Sequence, residues 1–170
     1  WLKVQQELLL PIPYFFLTFT LPAELRTLVR ANQKALYSLL FQASAEAAQK
    51  LALDPRYIGG QIGLVGVLHT WTRNLIFHPH VHYLAPAGGL HSDGQTWLFA
   101  RQGFFLPVRA LSKLFRAAFR RGLQKLKLLE KVPSKIWTQE WVVHCKPVGD
   151  GQAALKYLAP YIHRVALSNR

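Results

Sequence analysis

The sequence predicts an α+β fold in which helices pack on a central antiparallel sheet. Three observations lead to this prediction. Hydropathy and residue type give the order strand, helix, strand, strand, strand, helix, strand, helix along the chain. Of the 170 residues, 51% are apolar, so the chain can bury a sizeable core. The short turn Arg73-Asn74 between the second and third strands predicts an antiparallel hairpin.

The first half of the chain contributes strands around one long helix. Tyr14–Thr20 is dense in aromatic and β-branched residues, which favour a pleated, half-buried surface. From residue 22 to residue 53 the apolar positions keep helical spacing, and Asp54-Pro55 ends the pattern. Residues 62–71 and 75–84 are apolar runs with β-branched and aromatic members, which is typical of buried strands.

The second half alternates strands and helices. Residues 88–94 have the composition of a turn, and residues 95–100 predict a short returning strand. Pro107 begins a long helix whose apolar side extends to Leu129. Residues 136–144 predict a further strand, after which a glycine-containing turn leads into the last helix.

The chain is strongly basic. It has 21 lysines and arginines against 8 acidic residues, a net charge of +13, which indicates a polyanionic partner. Nucleic acid fits better than a membrane, because the longest uncharged stretch, residues 8–23, is shorter than a bilayer span and is interrupted by prolines. The lone Cys145 excludes a disulfide framework and fits a reducing cytoplasm. One face of the helix after Pro107 is basic, and we expect it to contact phosphates. This face consists of Arg109, Lys113, Arg116 and Arg120.

Three histidines alternate in the third predicted strand, at His78, His80 and His82. Alternate side chains of a strand share a face, so the three imidazoles point the same way. Two imidazoles two residues apart on one strand can hold one metal ion and leave the opposite side open for a substrate. The alternative is that they are ordinary half-buried histidines.

Two tyrosines, Tyr157 and Tyr161, are four residues apart and therefore lie on one face of the last helix. Taken alone, such a pair is usually core packing with the hydroxyl groups at the rim. Pro160 lies between them, and a proline inside a helix removes a hydrogen bond and clashes with the preceding turn. We therefore expect the helix to begin near Pro160 or to be kinked there, with the two tyrosines presented unequally.

Together these motifs resemble the HUH endonucleases. More narrowly, the chain is similar to rolling-circle insertion-sequence transposases of the two-tyrosine type, which are relatives of the ISCR elements and of Helitrons. The similarity extends along nearly the whole chain. It is carried by Leu68-His-Thr-Trp71, Asn74-Leu75, Phe77-His-Pro-His-Val-His82, Gly88-Gly-Leu90, Phe105-Leu-Pro-Val108 and Tyr157-Leu-Ala-Pro-Tyr161-Ile-His-Arg-Val-Ala-Leu-Ser168.

The resemblance implies the RRM-like HUH fold and a divalent cation, Mg²⁺ or Mn²⁺, held by His80 and His82 with one further polar ligand. For that ligand we expect His69, because the hairpin can bring it opposite the histidine pair. Relaxases, which are distant relatives, have the same eleven-residue step to their first motif histidine. His78 and Gln152 are the rival third ligands.

The resemblance also implies that Tyr157 and Tyr161 are the nucleophiles. One tyrosine attacks a DNA phosphate and leaves a 5′-phosphotyrosine intermediate, and the other acts in the second cleavage or in strand transfer during rolling-circle transposition. The implied partner is single-stranded DNA at the transposon ends and at the target. From their positions we expect Arg164, which follows the tyrosines, and Lys146 to contact phosphates, although an ordinary surface lysine is the alternative for Lys146. We expect no membrane contact and a location in the bacterial cytoplasm, at the nucleoid during activity. The oligomeric state stays open.

We expect residues 1–170 to form a single catalytic domain. Since the sequence begins at Trp1 and contains no methionine, we expect it to be an excerpt. The resemblance implies an N-terminal zinc-binding region before it and a C-terminal end after it.

Two other functions compete with this interpretation. The first is a basic, aromatic module that holds single-stranded DNA or RNA without cutting it. In such a module Trp71 and Trp97 stack on bases, although core packing is the ordinary role of a tryptophan. The second is a zinc hydrolase, which is weaker because Asp93 is the only nearby acid that can serve as a general base.

Overall fold

The computed structural model describes residues 1–72 and 74–163. Four strands form one antiparallel sheet in the order second, third, first, sixth, and the fourth and fifth strands pair in a small second sheet. Numbered along the chain, the strands are β1 (Tyr14–Thr20), β2 (Val65–Trp71), β3 (Phe77–Pro86), β4 (Gly88–Leu90), β5 (Trp97–Phe99) and β6 (Val143–Pro147).

Helices pack on both faces of the larger sheet, so the predicted α+β class with a central antiparallel sheet is confirmed. Across residues 1–72 and 74–163, no helix combines the length and the apolar character needed to cross a lipid bilayer. The helices are α1 (Leu2–Glu7), α2 (Arg26–Ala31), α3 (Gln33–Ala52), α4 (Val108–Lys125) and α5 (Gln152–His163).

The two faces of the larger sheet bury two separate hydrophobic cores. In β1, Phe15, Leu17 and Phe19 belong to the larger core, which they share with α3 and α4. Tyr14 and Phe16, which alternate with them, belong to a smaller core on the side that α5 covers. Because each core removes apolar surface from water, both fix the helices on the sheet. As a result, α4 and α5 lie on opposite faces.

The helix predicted over residues 22–53 is interrupted. A 3-10 turn at Ala23–Leu25 precedes α2, and Asn32 separates α2 from α3 with φ −135° and ψ 43°, outside the helical region. Apolar spacing did not reveal the break, because α2 and α3 both bury residues in the larger core. The basic helix α4 also ends earlier than predicted, at Lys125, and Lys127 then adopts a left-handed φ of 57°.

The strand predicted over residues 136–144 lies further along the chain, at β6. Residues Ser134–Trp137 instead form a 3-10 turn. Trp141 explains the shift, because its indole N–H donates to the carbonyl of Ile136 at 3.0 Å and its ring packs 5.1 Å from the Phe115 ring. Packing against α4 therefore overrides strand propensity. The beginning of the predicted turn over residues 88–94 is likewise the strand β4, because it pairs with β5.

Candidate metal and nucleophile site

Three histidines converge on the face of the sheet that α5 covers. β2 and β3 pair so that His69 lies directly opposite His80, and Val67 lies opposite His82. Since alternate residues share a face, the three imidazoles project to the same side. One ring nitrogen of each histidine lies within 4.8 Å of the others. The antiparallel hairpin predicted from the sequence therefore brings His69 to the histidine pair, although Arg73 in its turn lies outside the described residues.

Burial favours the uncharged form of these imidazoles. His69 and His82 are only 5% and 8% exposed. Burial, followed by the charge of His80, lowers the pKa of His69 from 6.5 to about 4. The pKa of His82 is lowered to about 3, first by burial and then by the charges of His69, His80 and Lys146. Burial also lowers the pKa of His80. At neutral pH each ring therefore has a nitrogen lone pair that a cation can accept.

Hydrogen bonds to Nδ1 orient two of the rings. His80 donates its Nδ1–H to the carbonyl of His78 at 2.7 Å, since a carbonyl only accepts. The Nδ1 atom of His82 is hydrogen-bonded to the hydroxyl of Thr18 at 2.8 Å. The buried Nε2 of His69 has no hydrogen-bond partner among the residues that the structure describes. Anchored Nδ1 atoms beside an unsatisfied, converging nitrogen are typical of metal-binding histidines, so this donor set fits a divalent cation.

The two rival third ligands are engaged in other hydrogen bonds. The Nδ1 atom of His78 accepts a hydrogen bond from the Nη2 of Arg26 at 2.9 Å. The side-chain oxygen of Gln152 accepts a hydrogen bond from the amide of Gln6 at 2.7 Å, which ties the start of α5 to α1. His78 is not among the converging nitrogens. The geometry therefore brings His69, and not His78, to His80 and His82.

Both tyrosines of α5 lie against the histidine cluster. The ring centroid of Tyr161 is 3.8 Å from that of His69, and the ring centroid of Tyr157 is 6.0 Å from that of His82. The two tyrosine rings are 5.7 Å apart, and the residues are 45% and 42% exposed in chain order. α5 begins at Gln152 and includes Pro160, so the alternative that the helix begins near this proline is wrong, and a kink at Pro160 stays a prediction. Ala154, Leu155 and Leu158 pack in the smaller core and fix the helix upstream of Pro160.

A cleft of about 810 Å³ adjoins the cluster between β6 and α5. His82 and Tyr157 line it together with Phe16 and Lys146. Most of the other lining residues are apolar, and Lys146 alone among the described lining residues carries a permanent positive charge. The cleft has the size of a small-ligand site and opens beside a candidate nucleophile, so it is large enough for a nucleotide.

The predicted phosphate-contacting residues do not converge on this site. Lys146 lies in the cleft, whereas the basic face of α4 lies on the other side of the sheet, since α4 packs on the larger core. A groove of about 540 Å³ follows that face, lined by residues that include Lys113, Arg120 and Trp137. The Arg120 guanidinium lies 5.7 Å from the Trp137 ring centroid. Arg109 is exposed on the same helix, Arg116 donates to the carbonyl of Gln139, and Arg164 lies outside the described residues.

The predicted base-stacking tryptophans and the candidate acid lie away from the cluster. Trp71 packs edge-on against Phe77 at 5.4 Å and lies beneath the Arg30 guanidinium. Trp97 belongs to β5 in the small second sheet. Asp93 accepts hydrogen bonds from both the backbone and the side chain of Thr96 in the turn before β5. Its carboxylate therefore does not supply the general base that a zinc hydrolase needs.

Thr18 and Arg26 were missed in the sequence analysis. Thr18 lies opposite His82 in the register of β1 and β3 and bonds its ring. The available signal was a hydroxyl residue in the middle of the aromatic run Tyr14–Thr20, where a buried strand prefers apolar side chains. Arg26 gave no signal of this kind, because its contact with His78 joins residues far apart in the sequence.

Neutral imidazoles that converge on a sheet, with two partly exposed phenols against them, define a candidate site for metal-assisted nucleophilic chemistry. The chain belongs to a transposase family: the family model described as "Putative transposase" (Y2_Tnp) matches residues 63–170. The insertion-sequence transposase part of the predicted resemblance is thereby supported.

Two curated relatives agree with this family. The chain is 40% identical over 188 residues to "Putative transposase y4qJ" of Sinorhizobium fredii (strain NBRC 101917 / NGR234), covering 99% of this chain and 47% of the relative. It is 39% identical over 94 residues to "Transposase for insertion sequence element IS801" of Pseudomonas savastanoi pv. phaseolicola, covering 55% of this chain and 22% of the relative. The chain thus spans about half, or less, of the length of these relatives. No solved structure matches it significantly.

Proposed function

We propose that this chain is the catalytic domain of a two-tyrosine HUH transposase, which cleaves and rejoins single-stranded DNA. The observation that carries the proposal is the contact of both tyrosine rings of α5 with one cluster of neutral imidazoles. A binding module needs neither an exposed phenol nor a set of converging histidine nitrogens. The relation to ISCR elements and Helitrons belongs to the same proposal.

His69, His80 and His82 are the proposed ligands of Mg²⁺ or Mn²⁺. Imidazole nitrogens suit Mn²⁺ better than Mg²⁺, although phosphate and water oxygens can complete a shell for either ion. When bound, the cation polarises the phosphate oxygens and disperses the negative charge that develops on them. In the proposed site, His82 donates its Nδ1–H to the Thr18 hydroxyl oxygen and His80 donates its Nδ1–H to the His78 carbonyl, which leaves the Nε2 of both rings free to face the cluster.

The proposed reaction exchanges one phosphate ester for another. The phenol oxygen of Tyr157 or Tyr161 forms a bond to phosphorus, and the bond from phosphorus to the 3′ oxygen of the preceding nucleotide breaks. The phenol proton passes by way of water to the departing oxygen, which leaves as a 3′-hydroxyl. The 5′-phosphotyrosine keeps the ester bond energy, so a 3′-hydroxyl can later reverse the step and complete strand transfer. The second tyrosine serves the second cleavage.

The cleft beside Tyr157 is the proposed path of the strand. Its apolar lining suits a nucleobase, and Lys146, which also lines the cleft, is the proposed phosphate contact. Arg164 is proposed as a further phosphate contact from its position after the tyrosines. The basic face of α4 is proposed to hold DNA that continues beyond the cleft, because it lies on the opposite face of the sheet. The proposed setting is the bacterial cytoplasm, at transposon ends and targets.

The decisive experiment is single-strand cleavage by the full-length protein with Mn²⁺. End-labelled oligonucleotides from the element's ends are incubated with wild type, Tyr157→Phe, Tyr161→Phe and His80→Ala/His82→Ala, and then resolved on denaturing gels with mass spectrometry. We expect a covalent protein–DNA adduct that disappears in one tyrosine variant and in the histidine variant. Strand binding by the folded wild type without any adduct refutes catalysis and leaves a nucleic-acid-binding module.

A further inference from the structure

A second basic pocket lies where the first strand of the sheet ends, on the side that carries the larger core. β1 stops at Thr20, opposite His80, and the chain then turns into α2. α2 and the beginning of β3 enclose a pocket of about 560 Å³. Arg26 and Arg30 line it, together with Phe77. Neither arginine was singled out by its sequence pattern.

Arg26 connects this pocket to the cluster. Its Nη2 donates to the Nδ1 of His78 at 2.9 Å, and the His78 ring centroid lies 5.5 Å from that of His80. Its Nε is buried and has no hydrogen-bond partner among the described residues. A buried donor without a partner is costly, so this guanidinium is incompletely satisfied as the structure stands.

Arg30 is held over aromatic rings one turn further along α2. Its guanidinium carbon lies 5.9 Å from the Trp71 ring centroid and 6.0 Å from that of Phe77. Stacking of this kind orients the planar group and leaves its N–H edge directed outward. Within residues 1–72 and 74–163, the ion pairs of the chain involve other basic residues, so no carboxylate neutralises Arg26 or Arg30.

We infer that Arg26 and Arg30 form a phosphate-binding site for the DNA strand, on the side of the histidine cluster away from Lys146. This inference rests on the proposed function and adds a second anchoring point, so that the strand is held on both sides of the phosphate that reacts. Paired guanidinium groups match phosphate oxygens in geometry and charge. The ring faces beneath Arg30 are already occupied, so this pocket binds the backbone of the strand and does not read a base.

The test measures binding without cleavage. The full-length protein in EDTA is titrated with a fluorescent single strand from the element's end at several salt concentrations, using wild type, Arg26→Gln, Arg30→Gln and Lys50→Gln. Lys50 is the matched control, an exposed base at the far end of α3. In parallel, each phosphate of the strand is replaced in turn by an uncharged methylphosphonate.

We expect each arginine variant to reduce the slope of log affinity against log salt by about 0.7, the value for one phosphate contact of a single strand. Lys50→Gln should match the wild type. We also expect that replacing one particular phosphate by methylphosphonate weakens strand binding by the wild type but does not weaken it further for Arg30→Gln. A variant that merely disturbed the fold would not cancel the effect of a single phosphate.

Two results overturn the inference, and they can be told apart from failure of the proposed function. If the arginine variants keep the wild-type salt slope and the same methylphosphonate profile, this site is refuted, whether or not the protein cleaves DNA. If inorganic phosphate competes equally with strand binding to wild type and Arg30→Gln, the pocket does not hold the strand. A wild type that binds the strand, shows this site and yet forms no adduct with Mn²⁺ refutes only the proposed catalysis.

Discussion

Replacement of Thr18 by valine tests whether the hydrogen bond to His82 organises the cluster. Valine keeps the shape and β-branching of threonine in a central strand, so the fold should tolerate it. It removes the 2.8 Å bond and leaves the Nδ1 of a ring that is only 8% exposed without its partner. Loss of a partner that orients a ligating histidine weakens metal binding by about 10–100-fold, or about 1.4–2.8 kcal/mol. We therefore expect a weakening of Mn²⁺ affinity in this range.

The assay is calorimetric titration of Mn²⁺ into wild type, Thr18→Val and Thr20→Val. Thr20 lies on the same strand, opposite His80, but its hydroxyl makes no bond to a histidine in the part of the chain that the structure describes. Urea unfolding should show a loss of about 1–3 kcal/mol for Thr18→Val, because a buried nitrogen loses its partner, and a smaller loss for Thr20→Val. If Thr18→Val binds Mn²⁺ as tightly as Thr20→Val does, packing alone orients His82 and the argument fails.

Three further predictions follow from the structure. The unfolded chain protonates imidazoles near pH 6.5, but His69 and His82 have pKa values of about 4 and about 3. The free energy of unfolding of the metal-free protein should therefore fall as the pH is lowered from about 6.5 to the pKa of each folded ring. The fall should be about 1.4 kcal/mol per pH unit for each ring, measured by urea titration at each pH. Lys113→Gln should reduce the salt slope of DNA binding by about 0.7–0.9 yet leave adduct formation on a short single strand unchanged, because α4 packs on the opposite face. Gly122→Ala should lower the free energy of unfolding by about 1–3 kcal/mol, since the added Cβ would lie 2.0 Å from Cδ1 of Leu39.

Each of these predictions has an outcome that contradicts it. The dependence of the unfolding free energy on pH should be much weaker in His69→Asn/His82→Asn. If this variant keeps the wild-type slope of unfolding free energy against pH, groups other than these two histidines cause the effect. Slower adduct formation by Lys113→Gln than by Lys50→Gln would connect the basic face to catalysis directly. A rise in stability of about 1 kcal/mol in Gly122→Ala would show that helix propensity, not packing between α3 and α4, decides the effect.

The part of the site that could be predicted from the sequence depends on local periodicity. Alternation along one strand placed His80 and His82 on the same face, and a short turn indicated the neighbouring strand that carries His69. Helical spacing likewise placed Tyr157 and Tyr161 together. These relations need only a few consecutive residues, and the structure reproduces them.

Relations between distant segments were not predictable in the same way. The sequence did not show that β1 lies beside β3, so the role of Thr18 opposite His82 was invisible. It did not show that α4 and α5 occupy opposite faces, so the predicted phosphate contacts could not be divided between two surfaces from the sequence. The late start of β6 has a similar cause, because the contact of Trp141 with Phe115 outweighs local propensity.

In the proposed mechanism, the division into two cores has a mechanical consequence for a DNA strand attached to a tyrosine. α5 is held on the sheet by the smaller core, through Ala154, Leu155 and Leu158. Tension on the attached DNA would therefore load this helix first, while the larger core keeps α3 and α4 in place. We expect backbone amides of α5 to exchange with deuterium before those of α3, since local opening follows the least buried packing. Equal protection of the two helices would show that the domain yields as a single body.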